Sequence, residues 1–99
     1  MKNIGKMMKN LQAMQDKMQQ EIDTVEVEGT SGGGVVTAHM NGKKQLLRIK
    51  LAPEAITPDD VELMEDLLVA AVNEAGRRVD EEVARLTQGL TAGLNLPGM

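Results

Sequence analysis

The chain contains no Phe, Trp or Tyr and no Cys. Without Phe, Trp or Tyr, large stacking side chains are unavailable for a nucleobase or a planar cofactor, so a single-strand stacking platform is excluded. Without Cys, disulfides, thiolate metal sites and Cys nucleophiles are excluded, and a reducing cytosol fits this usage. No apolar run is long enough to span a bilayer. The basic start is followed by no apolar signal-peptide core, and the expected location is the cytoplasm. The 99 residues and 10.7 kDa make one domain, 1–99, with a thin core of Val, Leu, Ile, Ala and eight Met.

Charge is unevenly placed within a net −4. Residues 1–50 carry eight Lys/Arg and five Asp/Glu, a net of +3, and residues 51–99 carry three Arg and ten Asp/Glu, a net of −7. General attraction to a polyanion is not expected, so any nucleic-acid contact must use a local basic patch.

Residues 2–24 read as a helix. Ile4, Leu11, Met18 and Val25 recur every seven residues, with Met7, Met8, Met14 and Ile22 in adjacent positions. The period then turns to alternation at Val25, Glu26, Val27 and Glu28, and residues 29–34 (GTSGGG) break the chain. Residues 35–40 form the next strand, Asn41-Gly42 is a two-residue hairpin signal, and residues 43–51 return. That turn sets Val36 opposite Leu47 and Ala38 opposite Gln45. One face then carries Val36, Ala38, Met40, Leu47, Ile49 and Leu51. The other, wetter and basic, carries Val35, Thr37, His39, Lys44, Leu46, Arg48 and Lys50. Thr57-Pro58-Asp59-Asp60 predicts a helix start with Thr57 as cap and Pro58 in the first turn. The helix is expected over 58–90, with Gly76 as its internal weak point and an irregular tail over 91–99.

The expected fold is therefore α+β, a two-layer α-β-β-β-α domain with a three-stranded antiparallel sheet over 25–51 and two long helices. A helix of that length reaches roughly 50 Å, beyond any compact domain of this size. Its overhang needs a partner. Antiparallel packing of the helices would set Ile4, Met7, Met8 and Leu11 against Val79, Val83 and Leu86 as a seam. The two open edges of the sheet also invite pairing, and a homodimer is expected.

The ordered set of segments resembles the YbaB/EbfC nucleoid-associated proteins of bacteria. Those segments are Met14-Gln15 in the first helix, residues 27–36 (VEGTSGGGVV), Asn41-Gly42, residues 60–68 (DVELMEDLL), residues 71–75 (AVNEA) and residues 93–99 (GLNLPGM). The resemblance covers essentially the whole chain. It implies a tweezer-shaped homodimer and binding to duplex DNA with little sequence specificity. It also implies a location in the nucleoid, with a part in nucleoid organisation and gene regulation. The second helix departs from a basic pattern, because Glu74, Asp80, Glu81 and Glu82 surround Arg77, Arg78 and Arg85.

Lys2, Lys6 and Lys9 are spaced i, i+4, i+7 and share one helix face. The pattern admits two readings, a phosphate clamp or the ordinary solvated face of an amphipathic helix. Arg85 is expected near the same tip and could join the clamp. Arg77 and Arg78 lie further in, where Glu74, Glu81 and Glu82 offer i±3 and i±4 ion pairs. His39, Lys44, Arg48 and Lys50 form a second basic set, either a DNA contact or charges paired across strands with Glu26 and Glu28. The Gly32-Gly33-Gly34 loop is no phosphate cradle, since a strand follows it and no Lys-Ser/Thr comes after it. The lone His39 has no metal-ligand companions, and the acids 59–66 match no calcium loop. No catalytic residue, metal, cofactor, small-molecule substrate or membrane contact is implied. The partners expected are duplex DNA and a second copy of the chain, with other proteins of DNA metabolism as a further class. A rival reading makes the chain an adaptor for a recombination or repair protein, docking through the acidic second helix and the Met-rich seam.

Overall fold

A computed structural model describes residues 4–94, with side chains placed as far as residue 88. The elements run α1 (Ile4–Asp23), β1 (Glu26–Ser31), β2 (Val36–Asn41), β3 (Leu46–Leu51), a short 3-10 turn (Pro53–Ala55) and α2 (Val61–Leu94). The α+β expectation holds: three antiparallel strands in the order β1-β2-β3, with two long helices. The molecule is elongated, 71 × 26 × 16 Å, with a radius of gyration of 19.5 Å. A compact domain of this length would have about 13 Å.

The hairpin differs from expectation in register and keeps its faces up to a bulge near the turn. Asn41 and Gln45 close the turn, with Asn41 N–H to the Gln45 carbonyl at 3.1 Å and Lys44 N–H to the Asn41 carbonyl at 3.0 Å. Lys44, at φ 61°, takes the left-handed position that closes a three-residue loop. Gly42 serves a different need, because a Cβ there would lie 2.0 Å from the Ile22 carbonyl oxygen at the end of α1. The longer loop and a bulge at His39/Met40 set Val36 opposite Leu51 and Ala38 opposite Ile49. That is four residues from the expected partners. The even shift keeps Ile49 and Leu51 on their expected face with Ala38 and Val36, whereas past the bulge Met40 pairs with Leu46, which was expected on the other face.

β1 is longer than its Val-Glu alternation suggests and runs through Gly29, Thr30 and Ser31. Only Gly32, Gly33 and Gly34, all at positive φ, make the turn. Gly29 belongs to the core contact, for a Cβ there would stand 2.2 Å from the Ala75 nitrogen and 2.4 Å from the Ala71 carbonyl oxygen. The Ser31 hydroxyl donates to the Leu67 carbonyl at 2.6 Å beside it. These two features seat α2 across β1 and β2. Val36, Ala38, Met40, Ala55, Ala71, Ala75 and Val79 form the buried core, with Leu67 and Val83 packed on its margin. The sixteen steps from Leu67 to Val83 span about 24 Å of helix, close to the roughly 20 Å of a six-residue strand. Val79 and Val83 therefore pack on the sheet and leave the expected helix seam without those members. β3 lies outside the helix, and all six of its residues are exposed.

The start and end of α2 also shift. Residues 57–60 form a turn, with Asp60 N–H to the Thr57 carbonyl at 2.9 Å. Asp60, not Thr57, caps the helix, accepting the Leu63 N–H at 3.0 Å. The helix continues through Leu94, past the expected end at 90, so 91–94 are helical. The remainder of the expected irregular tail, 95–99, lies outside the described residues.

Candidate nucleic-acid interface

α1 buries no residue. Ile4, Met7, Met8 and Leu11 are 55%, 61%, 63% and 55% exposed, so the seam expected along the free half of α1 is open in the single chain. Only its base is partly covered: Met14, Met18 and Ile22 are half-buried, and Leu86 lines a hollow with Glu21 and Val25. α1 is thus an arm leaving the sheet, with its apolar stripe uncovered towards the end.

On that arm Lys6 and Lys9 are exposed, and neither forms an ion pair among the described residues. Lys2, the third member of the expected clamp, lies outside the described residues. Lys17, which is not among the expected clamp residues, is exposed and equally without a described partner. Its signal was its spacing of eleven residues from Lys6, three full helical turns.

The arginines of α2 are differently placed. Arg77 donates through Nη2 to Glu74 Oε1 at 2.7 Å and through Nη1 to Glu81, and Arg78 Nε donates to Glu74 Oε1 at 3.0 Å. Arg85 pairs with Glu82. The i±3 and i±4 pairing expected for Arg77 and Arg78 is therefore present, and it extends to Arg85. The hydrogen bonds from Arg77, then from Arg78, hold the Glu74 carboxyl below the usual carboxylate range. Glu74 in turn holds the Arg77 guanidinium above its ordinary value. A carboxylate with a depressed pKa contributes its stabilisation at neutral pH and loses it as the pH falls through that lowered value. Because the pair is exposed, that contribution is small.

Arg85 does not reach the tip of α1. It lines an open groove with Val27, Glu28 and Arg78, at the base of the arm. Lys6 and Lys9 lie about 20–25 Å farther out, counting along α1 from Asp23. The expected cluster of Arg85 with the tip lysines is corrected on this point, because α2 rises over β1 and brings Arg85 and Leu86 to the root of α1.

The sheet set also divides. Lys44 leaves the wet face for α2, its Nζ 2.9 Å from Asp80 Oδ1. The left-handed turn redirects it. On the outer face, His39 Nδ1 lies 3.5 Å from Glu28 Oε1, and Arg48 Nη2 lies 3.4 Å from His39 Nε2. This row is the cross-strand pairing expected for Glu28. Lys50, opposite Thr37, is exposed and has no described acid partner. Among the described residues no group of three or more His, Cys, Asp or Glu could hold a metal ion, and no helix is long and apolar enough to cross a membrane.

Arginines already bonded to carboxylates are poor free cations, and this is testable. Replacing Glu74 by Gln frees Arg77 and Arg78 in part and removes one negative charge. The melting temperature should stay nearly unchanged, while affinity for a polyanion such as duplex DNA rises a few-fold. Titration of a labelled duplex reads the second effect.

The fold has a solved counterpart: an uncharacterized protein of Helicobacter pylori superposes with a TM-score of 0.74 over 92% of this chain and 96% of its own, at 20% identity. Sequence relatives are nearer. A nucleoid-associated protein of Desulforamulus reducens (strain ATCC BAA-1160 / DSM 100696 / MI-1) is 49% identical over 98% of this chain and 95% of its own length. A nucleoid-associated protein of Clostridium novyi (strain NT) is 46% identical over 98% of this chain and 88% of its own. The model of the YbaB/EbfC DNA-binding family matches residues 1–94, and the chain belongs to that family.

Proposed function

We propose that the protein is a non-enzymatic, nucleoid-associated DNA-binding protein. It grips duplex DNA through the lysines of its α1 arm, with little sequence preference, and acts as a homodimer. The observation that carries this reading is the contrast in charge pairing. Lys6 and Lys9 on the arm have no described acid partner, whereas each arginine of α2 has one. Free amines on an exposed helix suit phosphate oxygens, and phosphate contacts supply affinity without reading bases. The names carried by the family and by its relatives support DNA as the ligand and the nucleoid as the location.

The uncovered apolar surface supports the homodimer. Leu47, Ile49 and Leu51 share the sheet face on which α2 packs, yet α2 covers only the other two strands. Val69 on α2 and the apolar stripe of α1 are exposed as well. A second copy closing over β3 would bury this surface in an isologous interface and present two arms to one duplex. Two arms on one backbone can bend or bridge DNA, and through this the protein would influence nucleoid organisation and gene expression.

The test is a titration of a labelled 30-base-pair duplex at low salt, with the mass in solution measured alongside. The expected mass is twice 10.7 kDa. An unlabelled duplex of unrelated sequence should displace the label as well as the same sequence does. Absence of binding contradicts the reading. Capture of one stoichiometric, nuclease-resistant protein partner together with that absence would support the adaptor role instead.

A further inference from the structure

We infer that α1 lies lengthwise along the DNA backbone instead of touching it end-on, with Lys17 as a phosphate contact in the middle of the arm. The inference rests on the DNA-binding reading above and specifies its geometry.

The argument begins with the helical wheel. At about 100° per residue, Lys6, Lys9 and Lys17 fall within roughly 80° of arc. The apolar stripe of Ile4, Met7, Leu11, Met14 and Met18 is centred on the opposite side of the helix. A partner that covers the stripe therefore leaves the lysines outward. Ala13 and Gln20 are the other residues within the arc, so no acid interrupts it. Asp16 borders it. Asp23, the acid at the base of the arm, is engaged by Lys43 at 3.7 Å and by the Gln19 amide at 3.0 Å. Lys17 is exposed and has no ion-pair partner among the described residues.

Length then separates the two docking modes. Lys6 and Lys9 stand about 4–5 Å apart along the axis, and Lys17 stands about 16 Å from Lys6. An end-on arm uses the first pair alone. A row of amines about 16 Å long matches the axial rise of roughly five base pairs, at about 3.4 Å per phosphate on one strand. All three amines meet phosphates only if the arm runs along the backbone.

The experiment compares wild type, Lys17→Ala, Lys17→Arg and the double variant K6A/K9A, each titrated against one labelled duplex over a series of salt concentrations. Circular dichroism confirms that each is folded. Each phosphate contact contributes about 0.9 to the slope of log affinity against log salt. Lys17→Ala should lower the steepness by about 1 per arm engaged and weaken binding about tenfold at 100 mM salt, and Lys17→Arg should restore both. A lysine with a purely structural role would leave the slope unmoved. If Lys17→Ala matches wild type while K6A/K9A loses slope, the arm docks end-on and the inference is overturned, with the DNA-binding reading intact. If neither variant changes the slope, α1 is not the DNA surface and both fail.

Discussion

Replacing Gly29 by Ala should lift α2 off the sheet and cause a large loss of stability. The new Cβ would lie 2.2 Å from the Ala75 nitrogen, 2.4 Å from the Ala71 carbonyl oxygen and 2.7 Å from the Ala75 Cα. All three obstacles are backbone, so no rotamer change relieves them. The helix must lift, and Ala71, Ala75 and Val79, now buried, lose their contact with Val36 and Ala38. Over-packing a core costs about 1–3 kcal/mol and sometimes more. With rigid obstacles the expected cost is about 3 kcal/mol or above, a fall in melting temperature of more than about 12 °C for a domain of this size. Gly33→Ala is the control. A Cβ there meets nothing, and its φ of +74° carries only the left-handed penalty, about 1–2 kcal/mol. Thermal melts followed by circular dichroism at fixed protein concentration check both. A Gly29→Ala protein melting within a few degrees of wild type would contradict the packing described.

The second large effect is on binding. The triple variant K2A/K6A/K9A should weaken binding at least about a hundredfold at 100 mM salt, by a similar factor on duplexes of any sequence. The fold should survive, since Lys6 and Lys9 are exposed and make no described ion pair. The corresponding change of Arg77, Arg78 and Arg85 to Ala should cost far less affinity, because Glu74, Glu81 and Glu82 already engage those guanidinium groups. Equal losses in the two triple variants would mean that the carboxylates release the arginines to DNA. Fluorescence anisotropy reads both, with the label on the DNA because the protein has no Trp or Tyr.

The element order and the two faces of the sheet were legible because they depend on local period. Alternation from Val36 to Met40 set the buried face, and the shift of four residues in the hairpin did not disturb it. The arginine pairs were legible for the same reason, since residues three and four apart on a helix are neighbours whatever the tertiary fold. What depends on distant contacts was not legible. Gly29 reads as part of a glycine-rich break, and only the approach of Ala71 and Ala75, more than forty residues on, makes it a core residue. Lys44 reads as a strand residue until its left-handed turn and Asp80 redirect it. Arg85 reads as a residue of the arm's tip because two long helices suggest an antiparallel pair. The sheet instead claims Val79 and Val83, and Leu86 of α2 lies beside Glu21 at the root of α1.

The central claim is that free lysines on α1 bind phosphate. The most direct measurement is the affinity of the wild-type protein for two 30-base-pair duplexes of unrelated sequence, taken over a tenfold range of salt. Lys2, Lys6 and Lys9 on two arms predict a log–log slope of about −5, which Lys17 steepens to about −7, at about 0.9 per contact, with the same slope and nearly the same affinity for both duplexes. A slope near zero, or binding confined to one of the two sequences, would contradict it.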